Sequence, residues 1–356
     1  SGVRGAGQPQ AKGPIDPMPK VTFQHSGKSV EADEGEWMYD VAERAECGMP
    51  FACKAGACGT CATPVVAGIE TLSGLTAREA RTLTNMRLDT ETHRLPCLKD
   101  VGSGDVVWGT PVNASDTGQA LDQHDVVVEA YRPLNLTVAE VRFYVGSAGF
   151  SYRPGQYMVF TVPNLPHPIR RSYSISTPPS DANHFEVCVR SVAGGAGSNF
   201  IHRLRAGQRL KVEGPFGDFV LDEQSDRDIV MIATGTGISP IKSMLMHLLE
   251  KRSRRRVRLL FGLRHESDLF YTDLMRGLKA HYPGFEYRVT LSCADRDVWS
   301  GPRGRVTDLI DQHLSARDAE HTEAYICGGR PMIESCIDRL KKLGFPEDAI
   351  HYERFF

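Results

Sequence analysis

The alternation of apolar and polar positions changes character along the chain and divides it into three stretches. From Val21 the runs are short and strand-like, at Val21 to His25 and Lys28 to Ala32. A helical stretch follows near Met38 to Glu46, and then a loop rich in Gly and Cys. This pattern predicts a small α+β unit. Between Asp125 and Leu221 come many short β-rich runs: Asp125 to Tyr131, Leu136 to Val145, Tyr157 to Val162, Phe185 to Arg190 and Arg209 to Glu213. Gly and Pro punctuate them, which favours a small antiparallel barrel. From Asp228 apolar strands at Ile229 to Ala233, Val257 to Gly262, Tyr287 to Leu291 and Tyr325 to Cys327 alternate with helical stretches after Pro240, Ser267, Gly304 and Arg330. Such alternation implies a doubly wound parallel sheet.

The expected organisation is therefore multidomain. A disordered leader covers 1–19, where Gly, Pro and Gln dominate; an α+β unit covers 20–111; a polar linker without periodicity covers 112–123; the β-barrel covers 124–223 and the α/β unit 224–356. With 356 residues the chain has apolar material for two or three cores. A net charge of -2 removes the concentrated basic face that nucleic acid would require. No apolar run reaches the roughly 18 to 20 residues of a membrane span, and no charged start precedes an apolar stretch. A cytoplasmic location is expected. Nothing in the pattern marks an interface, so a monomer is the default.

Nine cysteines, an odd number in a long chain, argue for reduced thiols rather than a disulfide framework. Cys53, Cys58 and Cys61 give C-x4-C-x2-C, and Cys97 follows after a long gap in Leu95-Pro96-Cys97-Leu98. A structural zinc site, which prefers two C-x2-C pairs, and four unrelated core thiols are the alternatives. The small residues Ala55, Gly56, Ala57 and Gly59 favour a cluster, because they let backbone N–H groups point at inorganic sulfide. The segment from about Val21 to Thr110 resembles a plant-type [2Fe–2S] ferredoxin domain of β-grasp fold, with the four cysteines as ligands. Lys54 is expected to be an exposed neighbour of the cluster facing a partner. Cys47, Cys188, Cys293 and Cys336 read as ordinary core residues.

In the barrel region Arg171-Ser172-Tyr173-Ser174 is preceded by Arg153-Pro154-Gly155-Gln156-Tyr157 and followed by Gly194-Gly195-Ala196-Gly197-Ser198. Four letters alone fit an ordinary strand with an exposed Arg and a half-buried Tyr. Together the three segments resemble the flavin domain of the ferredoxin–NADP reductase family. Arg171 offers a fork of donors for a pyrophosphate and Tyr173 a flat ring for the isoalloxazine. The resemblance puts Ser174 near N5 and makes Ser172 part of the site. Gly197 and Ser198, if they open a helix, present backbone N–H groups to phosphate. FAD rather than FMN follows from the resemblance alone. Gly214-Pro215-Phe216-Gly217 also resembles a turn of the family, and equally fits a plain β-turn.

After the strand at Ile229, Thr234-Gly235-Thr236-Gly237-Ile238-Ser239-Pro240 turns into a helix, and its glycines let the backbone approach a dinucleotide pyrophosphate. Pro240 stands where the third Gly of G-x-G-x-x-G would be, as in the reductase family. Cys327-Gly328-Gly329-Arg330-Pro331-Met332 resembles the family's second turn, which implies Cys327 beside the nicotinamide C4; a buried thiol ending a core strand is the alternative. The terminal run His351 to Phe356 is apolar and doubly aromatic, so it is expected to pack on something. The resemblance implies that a terminal aromatic, Phe355 or Phe356, covers the flavin and that Glu353 takes part in hydride transfer. A last core strand explains the same residues. In Arg264-His265-Glu266-Ser267-Asp268 the carboxylates Glu266 and Asp268 favour NADH over NADPH, which Arg264 could accommodate. The run Lys251 to Arg256 precedes a strand and reads as a solvated face.

From Val21 onward the chain resembles the reductase components of bacterial multicomponent oxygenases that carry an N-terminal ferredoxin domain. The resemblance implies electrons passing from NADH through FAD and a [2Fe–2S] cluster to an oxygenase component, a monooxygenase or a dioxygenase. Other acceptors (a quinone, a deoxysugar dehydratase, a soluble carrier) are compatible with the same cofactors. A redox-sensing binding module is the reading from another class.

Overall fold

The computed structural model describes residues 18–54, 56, 58–112, 123–147, 149–163 and 169–355. Most of the expected leader and linker, and Phe356, lie outside the described residues. By its internal contacts the chain forms two units, Ser1–Met49 with Cys61–Asn113, and Pro50–Thr60 with Ala114–Phe356. The segment Pro50–Thr60, expected within the first domain, is grouped with the larger unit.

The smaller unit is built from β1 (Lys20–Phe23), β2 (Lys28–Glu31), α1 (Met38–Arg44), β3 (Thr63–Ala67), α2 (Ala77–Asn85), β4 (His93–Arg94) and β5 (Val106–Trp108). Its sheet runs β2-β1-β5-β3-β4, with β1 and β5 parallel and the other pairs antiparallel. Period-2 alternation puts Val21 and Phe23 of β1, and Val106 and Trp108 of β5, on the buried face. Met38, Leu83 and Leu95 complete that core, each fully buried and contributing about 1.5–3 kcal/mol by leaving water. Strands β4 and β5, two and three residues long, are too short to show a period in the sequence.

The larger unit holds two sheets. The first comprises β6 (Gln123–Pro133), β7 (Val138–Tyr144), β8 (Tyr157–Val162), β9 (Ile169–Ser174), β10 (His184–Arg190) and β11 (Arg209–Phe216), with α3 (Ala196–His202) between the last two. The order is β10-β7-β6-β11-β8-β9, antiparallel throughout, and the two edges meet at the single bridge Ile175–Val187. The expected barrel is thus barrel-like, closed at one point. Phe143, Phe160 and Phe185 fill it, with Phe143 5.0 Å from Phe185 and 5.3 Å from Phe160 between ring centres.

The second sheet contains β12 (Asp228–Thr234), β13 (Val257–Leu263), β14 (Phe285–Leu291), β15 (Thr322–Gly329) and β16 (Ile350–Phe355), all parallel, in the order β14-β13-β12-β15-β16. Helices α4 (Ile238–Glu250), α5 (Thr272–His281), α6 (Val306–His313), α7 (Ala316–Ala319) and α8 (Arg330–Lys342) connect the strands. Both faces of β12 are covered: Met231 and Ala233 pack on the side of Ile241 and Met244, Val230 and Ile232 on the side of Leu309 and Ile333. That is why β12 reads as a continuous apolar run rather than an alternating one. The chain runs outward from β12 to β14 and then returns to β15 on the other side of β12. The switch in direction opens a crevice at the C-terminal ends of β12 and β15.

The basic run before β13 is not wholly a solvated face. Lys251, Arg252 and Arg254 are exposed, but Arg255 is half-buried, paired with Glu323 and donating to the carbonyls of Arg227 and Asp222.

Candidate active site

The crevice at the strand ends is set by two turns that touch. Ala233 pairs with Cys327 across the sheet, so the turns that follow β12 and β15 emerge side by side. A Cβ on Gly237 would stand 2.4 Å from the Cys327 carbonyl oxygen, and one on Gly328 would stand 2.3 Å from Thr234 Oγ1. The first contact is with backbone that cannot yield, so only glycine at position 237 lets the turns come this close, whereas the second is with a side-chain hydroxyl that can turn away. Beyond Gly237 the chain enters α4, where the Ser239 hydroxyl donates to the Thr236 carbonyl at 2.9 Å and fixes the turn.

These turns form one end of a cavity of about 1090 Å³ within the larger unit. Arg171, Ser172, Tyr173 and Ser174 of β9 line its wall, as do Gly197 and Ser198 at the start of α3 and Gly235, Thr236, Gly237 and Gly328 at the turns. Gly197 is there for contact: a Cβ would meet Arg171 Cγ at 2.5 Å and Tyr173 Oη at 2.8 Å. The first turn of α3 therefore lies flat on the Arg–x–Tyr strand. Ser198 has its hydroxyl engaged with the loop before the helix, accepting from Val192 N at 3.2 Å and donating to the Gly195 carbonyl at 3.3 Å.

Strand β16 brings the terminal residues to the same wall. Glu353 pairs with Cys327 in register, is buried, and accepts a hydrogen bond from Ser174 Oγ at 3.4 Å. Glu353 and Phe355 line the cavity; Phe356 lies outside the described residues. Cys327 is fully buried and does not line the cavity, while its neighbours Gly328 and Gly329 do. Burial, reinforced by the Glu353 carboxylate, pushes its thiol well above the ordinary range. A neutral thiol next to a carboxylate is a small polarisable packing group rather than a nucleophile.

The segment Pro50–Thr60 packs against β8 and β9. Ser172 Oγ donates to the Ala52 carbonyl at 3.2 Å, Arg171 to the Phe51 carbonyl at 3.4 Å, and Arg170 to Thr60 Oγ1 at 3.1 Å. Ala52, Cys53 and Cys58 form an apolar cluster with Tyr157 and Val159, and Cys53 lines the cavity. Burial, and then the nearby Cys53 and Cys58 thiols, hold the Tyr157 hydroxyl neutral by raising its pKa well above the ordinary value. Lys54, expected at the surface towards a partner, is half-buried and lines the cavity too.

None of the nine cysteines forms a disulfide. Cys58 N donates to Cys53 Sγ at 3.5 Å, and in the smaller unit the sulfurs of Cys61 and Cys97 lie 3.2 Å apart. The expected ligands thus come as two pairs. Among the described residues no three His, Cys, Asp or Glu side chains gather as a single metal ion would need. A two-iron cluster needs only two thiolates per iron, since bridging sulfides complete each tetrahedron. The donor set, two pairs of buried unoxidised thiols, fits that group. Of the other cysteines, Cys47, Cys188 and Cys336 are buried as expected, whereas Cys293 is exposed, in the loop after β14 where no apolar period continues.

Two features were not anticipated. Neither Glu266 nor Asp268 lines the cavity: Glu266 accepts from Asp295 N at 2.7 Å, and Asp268 caps its own turn and pairs with Arg190 at 3.2 Å. Arg264, Ser292 and Arg305 occupy the wall at that end. Behind α4 lies a buried charge network. Lys242 Nζ meets Glu140 at 2.9 Å and Glu186 at 3.1 Å, and sits 4.8 Å above the Tyr271 ring, whose hydroxyl bonds Glu140. Burial alone would raise the Glu140 carboxyl; Lys242, Tyr271 and Arg132 outweigh it and hold it below the usual range. A Lys in the middle of an apolar helix was the available signal, since such a side chain is buried only with partners.

Comparison with known proteins adds three consecutive matches. Residues 21–99 match the 2Fe-2S iron-sulfur cluster binding domain, 126–221 the oxidoreductase FAD-binding domain and 231–338 the oxidoreductase NAD-binding domain. The chain is 30% identical over 340 residues to the reductase component of phenol 2-monooxygenase from Pseudomonas sp. (strain CF600), covering 94% of each. It is 25% identical to the reductase component of propane 2-monooxygenase from Rhodococcus jostii, covering 96% of this chain and 92% of the relative. Among solved structures it resembles the ferredoxin reductase in carbazole 1,9a-dioxygenase, with a TM-score of 0.63 at 20% identity over 95% of this chain and 98% of that one. Among the described residues no helix is long and apolar enough to cross a membrane.

Proposed function

This chain belongs to the reductase components of bacterial oxygenases that join a [2Fe–2S] ferredoxin domain to FAD- and NAD-binding domains, and we propose that it draws electrons from NADH to supply the oxygenase component of such a system. The single observation that carries the reading is that one cavity is lined by the flavin strand Arg171–Ser174, the nucleotide turn Gly235–Gly237 and Cys53. When bound, a flavin accepts hydride from a nicotinamide and releases electrons singly, and a [2Fe–2S] cluster carries them one at a time.

The protein's own residues bind and orient these groups. Arg171 and the N–H groups at the start of α3 hold the flavin pyrophosphate. Tyr173 presents a ring for the flavin face, held neutral because burial raises its hydroxyl far above the ordinary value. Ser174 and Glu353 both line the cavity and are hydrogen-bonded, so a proton at Ser174 Oγ can be held or exchanged with the carboxylate. Gly235 to Gly237 and Gly328 receive the dinucleotide, with Cys327 packed behind them. Phe355 closes the wall and excludes water until a nicotinamide displaces it. Cys53, Cys58, Cys61 and Cys97 would hold the cluster. The domain limits that go with this reading are 20–111, 124–223 and 224–356, and the working unit is a cytoplasmic monomer.

An anaerobic NADH titration followed by visible absorbance and EPR, with a parallel Cys97→Ser sample, tests the proposal. Flavin bleaching followed by a reduced [2Fe–2S] signal is expected in the parent. Cys97→Ser should keep NADH-dependent ferricyanide reduction and lose cytochrome c reduction. Equal loss of both activities, or a parent that stays oxidised with NADH, refutes it.

A further inference from the structure

The smaller unit buries one ion pair completely. Lys99 Nζ and Glu79 Oε2 are 2.6 Å apart, and both side chains are shielded from water. Such a pair costs desolvation, so packing alone gives no reason for it, and apolar residues of the same volume would serve a core at least as well. Its placement along the chain does give one. Glu79 Oε1 accepts from Leu95 N at 2.8 Å, two residues before Cys97, and Lys99 stands two residues after it.

Glu79 is the third residue of α2, in the Thr76-x-x-Glu79 pattern that normally makes a reciprocal cap. Thr76 Oγ1 does accept from Glu79 N at 3.1 Å. The Glu79 carboxylate instead reaches across to the Leu95–Lys99 turn. Lys99 Nζ also donates to the carbonyls of Ser73 and Gly74, at 2.9 and 2.8 Å, tying the segment before α2 to the same point. Lys99 O accepts from Met38 N at 2.9 Å, and Cys97 O accepts from Trp37 Nε1 at 3.0 Å. Both flanks of Cys97 are therefore anchored by the ends of one ion pair, while its sulfur lies 3.2 Å from that of Cys61.

We infer that Glu79 and Lys99 are positioning residues that bracket Cys97 and set how its thiolate is presented to iron. The inference rests on Cys97 being a cluster ligand, as proposed above. Groups that orient a metal ligand alter metal retention by about 10- to 100-fold when removed.

The test uses the full-length protein loaded with flavin and cluster, in four forms: parent, Glu79→Gln, Lys99→Met and the double variant Glu79→Leu/Lys99→Met. Readouts are Tm, the rate at which a chelator bleaches the cluster absorbance, and the EPR g values of the reduced cluster. Each single variant should lose its cluster about 10- to 100-fold faster than the parent, with shifted g values and unchanged ferricyanide reduction by NADH. The double variant, with no buried charge left unpaired, should recover Tm but still lose its cluster fast, because Leu95 N has no acceptor. A double variant that regains Tm together with parental bleaching rate and g values overturns the inference and leaves the pair a packing element. A double variant that does not fold also overturns it. A parent without a [2Fe–2S] signal would instead refute the assignment of Cys97 as a ligand.

Discussion

Replacing Lys242 by Met leaves Glu140, which is 4% exposed, with Arg132 and Tyr271 but without its ammonium partner, and leaves Glu186 with Arg142. Breaking a buried pair by removing one member costs about 3–5 kcal/mol. At about 2–4 °C per kcal/mol for a unit of this size, Tm should fall by about 6–20 °C at pH 7. The sign of its pH dependence follows from the Glu140 carboxyl, which is held below its usual range in the folded protein. A depressed carboxylate contributes stability that is present above its unfolded value, near pH 4.3, and is lost as pH falls through the folded value. In Lys242→Met that contribution is gone at neutral pH, so the deficit relative to the parent should hold from pH 7 down to about pH 4.3 and narrow as the pH is taken below that value. The groups facing Glu140 are Lys242 from α4, Arg132 from β6, Tyr271 beside α5, and Glu186 and Cys188 from β10. Differential scanning calorimetry of both proteins across that range is the assay. A fall of less than about 2 °C at pH 7, or a deficit that widens on acidification, would refute the reasoning.

Gly237→Ala forces a methyl into the Cys327 carbonyl, and a turn spread to relieve it should raise the KM for NADH about tenfold or more, since overpacking costs about 1–3 kcal/mol; steady-state ferricyanide reduction measures it, and a KM within twofold of the parent contradicts the touching-turn geometry. Deleting Phe355 and Phe356 opens the cavity wall beside Glu353, so the nicotinamide KM and the NADH/NADPH ratio should both change. Unchanged kinetics would make these aromatics ordinary core residues.

What could be read in the sequence was what local chemistry dictates. The spacing of Cys53, Cys58 and Cys61, the strand–glycine–helix turn at Gly235 and the Arg171–Ser174 strand are each decided within a few residues, and the last two line one cavity with Cys53. Pairings between distant residues were not legible. Glu79 meets the turn around Cys97 from another helix, and Lys242 reaches Glu140 across 102 positions, so neither shows a period or spacing. Lys99 gave no signal of its own, because Lys is almost never fully buried without a partner and its partner lies 20 positions away in another element. Glu266 and Asp268 show the converse. Their residue type fits a ribose contact, yet the fold spends both on its own turns.

The contact between the Gly237 and Gly328 turns also divides the protein into parts that can and cannot be engineered. No methyl fits at Gly237 against the Cys327 carbonyl, so libraries aimed at altered donor preference will find that position intolerant of residues other than glycine. Useful diversity lies instead at Arg264, Ser292 and Arg305, which line the same cavity. Selection for a new nicotinamide donor should therefore enrich substitutions at those three positions and leave Gly237 untouched.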